Sequence, residues 1–282
     1  MIDLFLDPFK FKFMLNAFLV AIIISIPTAI LSCYLVLKGW SLMGDAISHA
    51  VLPGIVLAYI FKIPLIVGAF AAGLFCSLAS SFISENSRIK KDTVLGVVFS
   101  GMFGVGLVLI TKASTNLDLD HILFGNILGI TKENIILTIS ISIFVSFLLF
   151  IKRKDLMLFA FDEIQSNVLG INNKLLNFFL ISLTSITVVA TLSSVGIILS
   201  IGLLITPGAI VFLLTKKFDS MIVLSILITS LSAFFGVYIS FFLDSSPAPT
   251  IILILSCIFF GVLVLKTAYK KDFRKKFFKN IN

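Results

Sequence analysis

Residues 175–215 read LLNFFLISLTSITVVATLSSVGIILSIGLLITPGAIVFLLT, a stretch of 41 residues without a charged side chain. A helix needs about 20 apolar residues to cross the hydrocarbon of a bilayer, because lipid offers no partner for open backbone groups. The stretch has about twice that length, and it contains SSVG, Ser193 to Gly196, near its middle. It therefore predicts two membrane helices joined by a tight turn.

Similar charge-free runs fill most of the remaining chain. They cover residues 13–37, 63–83, 93–111, 135–151, 220–243 and 245–265, and residues 41–61 are a further candidate despite two ionisable groups. Hydrophobic residues make up 59% of the chain and charged residues only 13%, which is not the composition of a soluble domain. The sequence predicts an all-α, polytopic membrane helix bundle of about eight to nine spans, in one domain over residues 1–282. The first run is too long for a signal-peptide core, so we expect it to stay in the mature protein.

The net charge of +8 comes from basic residues that lie between the apolar runs. The basic segments are residues 87–92, 152–155, 216–217 and the tail 266–282. With nine spans all of them become cytoplasmic under the positive-inside rule, with the N-terminus outside and the C-terminus inside. We interpret the tail as an orientation signal in contact with anionic lipid, and we expect no nucleic-acid partner. The chain has no GxxxxGK[ST] phosphate loop, so an ATPase that drives it must be a separate chain.

Asp45 and His49 are the two ionisable groups in the candidate span 41–61. Residues four apart lie on one face of a helix, one turn apart, so the two side chains can reach the same small volume. Helix from Lys38 onward would place His49 about 16 Å deep, near the middle of the membrane. A carboxylate there costs about 2.5–3.5 kcal/mol, so we expect it to face the bundle interior and to have a partner.

The residues alone allow three kinds of interaction for Asp45 and His49. A shared proton would make a relay, protonated histidine would make a structural salt bridge, and a divalent cation would make a transport site. Carboxylate oxygen with neutral imidazole suits Mn²⁺, Fe²⁺ or Zn²⁺. Pro53 frees the carbonyl of His49, which could complete the metal's coordination together with water or a second copy of the chain.

Three segments resemble a known family. KGWSLMGDAISHAVLPG (38–54) resembles the signature of the ABC-3 family of bacterial permeases for manganese, zinc and iron, a basic residue followed by SL-x-GDA-x-SHA-x-LPG. FDEIQSNVLGI (161–171) resembles the family's FDxxxAxxxGI segment, and VGIILSIGLLITPGAI (195–210) its VGxLLVxALLITPAA stretch. The resemblance extends over essentially the whole chain and implies the architecture of a type II ABC importer permease.

The resemblance implies roles for particular residues. Asp45 and His49 become the metal-coordinating pair. A cytoplasmic segment within residues 155–174, with acidic residues at its start and glycine at its end, becomes the helix that couples to the ATPase. The residues expected there are Phe161, Asp162, Ile164, Ser166, Leu169 and Gly170, with Ser166 in place of the usual alanine.

Two further groups complete the predicted site. Helix breakers and their neighbours are expected to line the path or act as hinges, namely Pro53, Gly54, Thr206 and Pro207. An outer funnel that concentrates cations is expected from Asp118, Asp120 and His121.

The expected function is that of the permease subunit of an importer in the bacterial cell (inner) membrane. By the resemblance, it is a homodimer with cytoplasmic ATPase subunits below and an extracytoplasmic metal-binding protein above. Its cargo is Mn, Zn or Fe, it holds no permanent cofactor, and it does no covalent chemistry. The alternative is a stand-alone proton-coupled metal carrier that uses Asp45 and His49 as a relay. An intramembrane metal enzyme ranks last, because it would need a third strong ligand and a base at depth.

Overall fold

The computed structural model describes residues 2–113, 125 and 127–279, and every regular element in these ranges is an α-helix. The helices are α1 (Ile2–Lys10), α2 (Lys12–Leu37), α3 (Met43–Ile60), α4 (Leu65–Glu85), α5 (Lys91–Ala113), α6 (Lys132–Ile151), α7 (Arg153–Phe161), α8 (Glu163–Val168), α9 (Asn173–Leu214), α10 (Phe218–Phe242) and α11 (Pro247–Lys279). In the part of the chain that the structure describes, eight of them are long and apolar enough to cross a membrane. The predicted all-α membrane bundle is confirmed.

Helix α9 spans 42 residues but is broken at Gly196, whose backbone has φ 84° and ψ 174°. The hydroxyl oxygens of Thr191 and Ser200 lie 2.6 Å apart. Nine residues of continuous helix would separate their positions by about 13.5 Å along the axis, so the chain turns sharply between them. The two arms, residues 173–195 and 197–214, are each long enough to cross the hydrocarbon. The tight turn predicted at SSVG is therefore present and needs only one non-helical residue.

Helix α2 passes through the centre of the bundle and joins its two apolar cores. Met14 and Ile24 belong to one core, shared with α9, α10 and α11. Leu31 and Leu35 belong to the second core, shared with α3 and α9 among others. Ser and Thr side chains form hydrogen bonds between this helix and its neighbours. For example, Ser225 Oγ of α10 donates to the carbonyl oxygen of Ala29 at 3.1 Å.

Helices α3 and α4 cross in direct backbone contact at Gly54 and Gly68. A methyl group at Gly54 would lie 2.1 Å from the carbonyl oxygen of Gly68, and one at Gly68 would lie 2.2 Å from that of Gly54. Only glycine permits this separation. The crossing fixes the position of α3, the helix that carries Asp45 and His49.

Helix α5 packs against α3 but is mostly uncovered, and its buried share of 17% is the lowest of the eight candidate spans. Gly96, Gly101 and Gly104 on α5 each face open space. One side of α5 therefore supports the site helix, while the other is available to lipid or to another chain.

Candidate metal site and coupling segment

The site helix α3 begins later than the sequence suggested. Residues 38–42 form a turn in which Gly39 has φ +68°, and helix begins only at Met43. His49 therefore lies six residues, about 9 Å, from the start of α3 rather than about 16 Å from Lys38. The estimate of 16 Å assumed helical rise through a segment that turns, so it does not hold, and the mid-membrane depth of His49 stays a prediction.

The side chains of Asp45 and His49 converge as their spacing predicts. His49 Nε2 lies 3.3 Å from Asp45 Oδ1, and the two side chains are 28% and 27% exposed. This separation is long for a hydrogen bond. Two ligands bound to one ion at about 2.1 Å, with ligand angles between square and tetrahedral, are about 3.0–3.4 Å apart. The geometry fits a shared divalent ion, and the partial exposure gives such an ion access.

Two phenylalanines of α5 hold the imidazole of His49. The ring of Phe99 stacks on it with centroids 5.8 Å apart, and Phe103 meets it edge-on at 5.2 Å. His49 Nδ1 is buried and has no hydrogen-bond partner in the part of the chain that the structure describes. The aromatic packing therefore fixes the ring with Nε2 towards Asp45.

The pair supplies only two protein ligands. Within residues 2–113, 125 and 127–279, no cluster of three or more His, Cys, Asp or Glu side chains could hold a metal ion. Further ligands must be water, backbone carbonyls or groups from outside the described residues. A loosely closed shell of this kind suits an ion that passes through more than one that is retained.

The predicted path residues of α3 lie beside an apolar groove. Pro53 and Gly54 border a cavity of about 770 Å³ between α3, α4 and α5, which Phe75, Gly101 and Val105 also line. Gly54 at the same time forms the backbone contact with α4. Its position is explained by helix packing, whatever part it takes in transport.

The predicted path residues of α9 lie against α2. Pro207 is buried and Thr206 is half-buried. Ser32 Oγ donates to the carbonyl oxygen of Ile205 at 3.2 Å and accepts the N–H of Gly208 at 2.8 Å. This serine satisfies backbone groups around the proline. The predicted funnel residues Asp118, Asp120 and His121 lie outside the described residues.

The predicted coupling segment forms two short helices, α7 and α8, on the side predicted to be cytoplasmic. Asp162 Oδ1 accepts the N–H groups of Ile164 and Gln165 at 2.9 and 3.0 Å and so caps α8. Gly170, with φ +79°, follows the end of the helix.

The side chains of this segment separate into two groups. Phe161, Ile164, Val168 and Leu169 are 58%, 78%, 80% and 64% exposed. Ser166 is fully buried, and its hydroxyl group has no hydrogen-bond partner within the described ranges. Ser166 faces the bundle, and Phe161 keeps an edge-on contact with the buried Phe218 at 6.2 Å between ring centroids. Ile164, Val168 and Leu169 are the more exposed apolar side chains.

Lys38 connects the coupling segment to the turn before α3. Its side chain is only 4% exposed, and its ammonium group forms an ion pair with Glu163, the first residue of α8. The same group lies 3.4 Å from the ring centroid of Phe159 and 5.3 Å from that of Trp40. Burial lowers the pKa of the Lys38 ammonium, and the hydrogen bond and charge of Glu163 oppose this shift.

The sequence model of the ABC 3 transport family matches residues 10–266. This chain belongs to that family. A probable iron transport system membrane protein of Haemophilus influenzae is 49% identical, over 96% of this chain and 98% of that protein. The manganese transport system membrane protein MntB of Synechocystis is 41% identical, over 96% of this chain and 89% of that protein.

A solved structure has the same fold as this ABC 3 family chain. PsaBC from Streptococcus pneumoniae, in complex with Fab, superimposes with a TM-score of 0.83 at 34% identity, over 93% of this chain and 95% of that one. The family resemblance of the three motifs is confirmed, and so is the ABC-permease architecture. With its apolar membrane helices, the chain is a multi-pass protein of the bacterial cell membrane.

Sequence reasoning missed the residues that support α3, the helix that carries Asp45 and His49. The sequence analysis singled out neither Phe99 nor Phe103. Glu163 was noticed only as an acidic residue at a helix start, although it binds Lys38 across 125 positions. No periodicity marks such long-range contacts, and the only available signal was the basic residue that precedes the SL-x-GDA motif.

Proposed function

We propose that this ABC 3 family chain is the permease subunit of an importer for divalent manganese or iron, powered by a separate ATPase. The Asp45–His49 pair is the observation that carries the proposal. It offers one carboxylate oxygen and one imidazole nitrogen, 3.3 Å apart, at a partly exposed position on a membrane helix. These donors suit Mn²⁺, Fe²⁺ and Zn²⁺ alike. The relatives named for iron and manganese transport support the first two, and zinc is an outcome of the test.

A second copy of the chain completes the proposed path. On the uncovered side of α5, Gly104 allows another helix to approach closely, because a methyl group there would meet no described residue within 4 Å. In a two-fold dimer the same surface of each copy meets the other, so the site helices of both copies can flank one path. The ion's remaining ligands then come from water or from the second copy.

The cytoplasmic ATPase binds the exposed apolar side chains of the coupling segment in this proposal. Ile164 and Val168 are the most exposed, at 78% and 80%, on a side of the membrane where water would otherwise cover them. Exposed apolar groups in water mark sites of protein association. An extracytoplasmic metal-binding protein delivers the ion on the other side, as the family resemblance implies. The permease itself carries out no covalent chemistry.

The decisive experiment is metal uptake by liposomes that contain the chain and its ATPase. Wild-type uptake of Mn²⁺ or Fe²⁺ should require ATP. Asp45→Asn and His49→Gln should each lower it by at least about tenfold, since even indirect partners of metal ligands contribute about 10–100-fold. Asp7→Asn, which changes an exposed carboxylate paired with Lys10, is the matched control and should have no effect.

Three results would change the proposal. Uptake driven by a proton gradient without the ATPase would replace it with the proton-coupled carrier. Unchanged uptake of every tested metal by both site variants would remove the pair from the path. A clear preference for Zn²⁺ over Mn²⁺ and Fe²⁺ would keep the mechanism and change the cargo.

A further inference from the structure

Five side chains form a compact cluster where the coupling segment meets the transmembrane helices. We call Lys38, Trp40, Lys91, Phe159 and Glu163 the Lys38 cluster. The ammonium of Lys38 pairs with Glu163 and lies over Phe159, and the ammonium of Lys91 lies 3.4 Å from the ring centroid of Trp40. The cluster therefore contains members from α5, α7, α8 and the turn that precedes α3.

Two short structural connections, one through the turn before α3 and one along α5, lead from this cluster to the metal pair. The backbone N–H of Trp40 donates to the carbonyl oxygen of Leu35 at 2.8 Å, and the backbone carbonyl oxygen of Trp40 accepts the N–H of Met43 at 3.0 Å. These bonds tie the end of α2 to the start of α3, and Asp45 follows two residues later. The turn 38–42 is thus a fixed connection rather than a loose one.

The second connection runs along α5. Lys91 is the first residue of this helix, and Phe99 and Phe103, which pack on His49, lie two and three turns further along it. The cluster therefore contacts the starting ends of both elements that position the pair. Asp45 depends on α3, and the imidazole of His49 depends on α3 and α5.

The coupling helix borders a cavity beside the bundle and is joined to the start of α9 by a hydrogen bond from Asn173 Nδ2 to the carbonyl oxygen of Glu163 at 2.7 Å. A cavity of about 350 Å³, bordered by Trp40, Lys91, Glu163 and Asn177, adjoins the cluster. The amide oxygen of Asn177 is buried in this region and has no hydrogen-bond partner among the described residues. A close-packed contact would resist small shifts, whereas an ion pair beside an open polar cavity can transmit them.

We propose that the Lys38–Glu163 ion pair is the link through which displacement of the coupling helix repositions Asp45 and His49. This inference rests on the proposed function, because it assigns a positioning role within the same transport cycle. Glu163 moves with α8 when the ATPase pulls on the exposed apolar residues. Lys38, enclosed by aromatic rings, follows its partner and carries the turn and the start of α3 with it.

The test compares metal uptake with ATP hydrolysis in liposomes that contain the chain and its ATPase. Lys38→Met removes the charge and keeps most of the apolar stem, and Glu163→Gln removes the partner. Each should reduce the metal ions imported per ATP hydrolysed by about tenfold, within the 5–150-fold range typical of coupling between sites. The double variant should import no fewer metal ions per ATP hydrolysed than either single variant, because both substitutions remove the same interaction.

Two further measurements separate a link from a structural support. Equilibrium binding of Mn²⁺ to the permease and co-purification of the ATPase should remain at wild-type levels in Lys38→Met. The control is Lys152→Met, which breaks the exposed Lys152–Asp155 pair and should leave ions per ATP unchanged. If Lys38→Met does not fold, Glu163→Gln decides the question, because that side chain is 60% exposed.

Each adverse result has a distinct meaning. The proposed link would be overturned if either single variant imported as many metal ions per ATP hydrolysed as the wild type, or if the losses of the single variants added up in the double variant. Either result would leave the proposed function intact. Loss of ATPase binding in parallel with uptake would show a docking contact and would also overturn it. A wild-type complex that imports no metal with ATP would overturn the proposed function itself.

Discussion

Replacement of Gly54 by alanine should force α3 and α4 apart at their crossing. The added methyl carbon would lie 2.1 Å from the carbonyl oxygen of Gly68 and 2.6 Å from Cβ of Ala72. Normal contacts between carbon atoms are about 3.5–4.0 Å, so the helices must separate locally by more than about 1 Å. Neither close neighbour is a flexible side chain that could rotate away. Overpacking of this kind lowers the free energy of unfolding by about 1–3 kcal/mol. Because backbone atoms lie on both sides of this contact, we expect a loss near the upper end of that range.

Thermal unfolding of the detergent-solubilised protein measures this cost. For a chain of this size, the expected loss lowers the unfolding temperature by about 5 °C or more. Uptake should fall as well, because His49 lies only five residues before Gly54 on the same helix. Gly261→Ala is the matched control, since Gly261 is also helical but a methyl group there meets nothing within 4 Å. An unchanged unfolding temperature in Gly54→Ala would refute the packing argument. Loss of uptake at an unchanged unfolding temperature would instead support the predicted role of Gly54 as a path-lining or hinge residue.

Three other substitutions test separate parts of the structure. Phe103→Ala should raise the metal concentration for half-maximal uptake about two- to tenfold, since an edge-to-face contact contributes about 0.5–1.5 kcal/mol to holding His49; an unchanged value would mean that the ring needs no support. Ile164→Asp should abolish co-purification of the ATPase while Gln165→Asp preserves it, and retained binding by the first would exclude this surface as the contact. Asp162→Ala should destabilise α8 by about 1 kcal/mol, measured as faster amide hydrogen exchange over residues 163–168, and wild-type exchange would argue against the cap.

Local features of the fold could be predicted because they depend on neighbouring residues. The length of the 175–215 run and its SSVG sequence were sufficient to predict a helical hairpin. The spacing of Asp45 and His49 predicted that they would meet. The acidic start and glycine end of residues 162–170 fitted a short helix, but the residues alone fitted a solvated loop equally well, and the family resemblance favoured the helix. The first two inferences use only helix geometry and the requirement that lipid-exposed backbone be hydrogen-bonded.

The remaining features depend on contacts between distant segments. The start of α3 was placed too early, because Gly39 and Trp40 form a turn between two helices although the segment has enough apolar residues to continue as helix. Support of His49 by Phe99 and the pairing of Lys38 with Glu163 both require knowledge of which helices are neighbours. A single membrane sequence is apolar on nearly all sides of its helices, so its pattern does not identify these neighbours.

The break at Gly196 also affects how this protein enters the membrane during synthesis. The two arms of α9 are joined without any polar loop, and Thr191 and Ser200 satisfy each other's hydroxyl groups at the bend. The first arm therefore has no charged flank at its far end that would halt it in a transmembrane position. We therefore expect the two arms to partition into the bilayer together, as one helical hairpin.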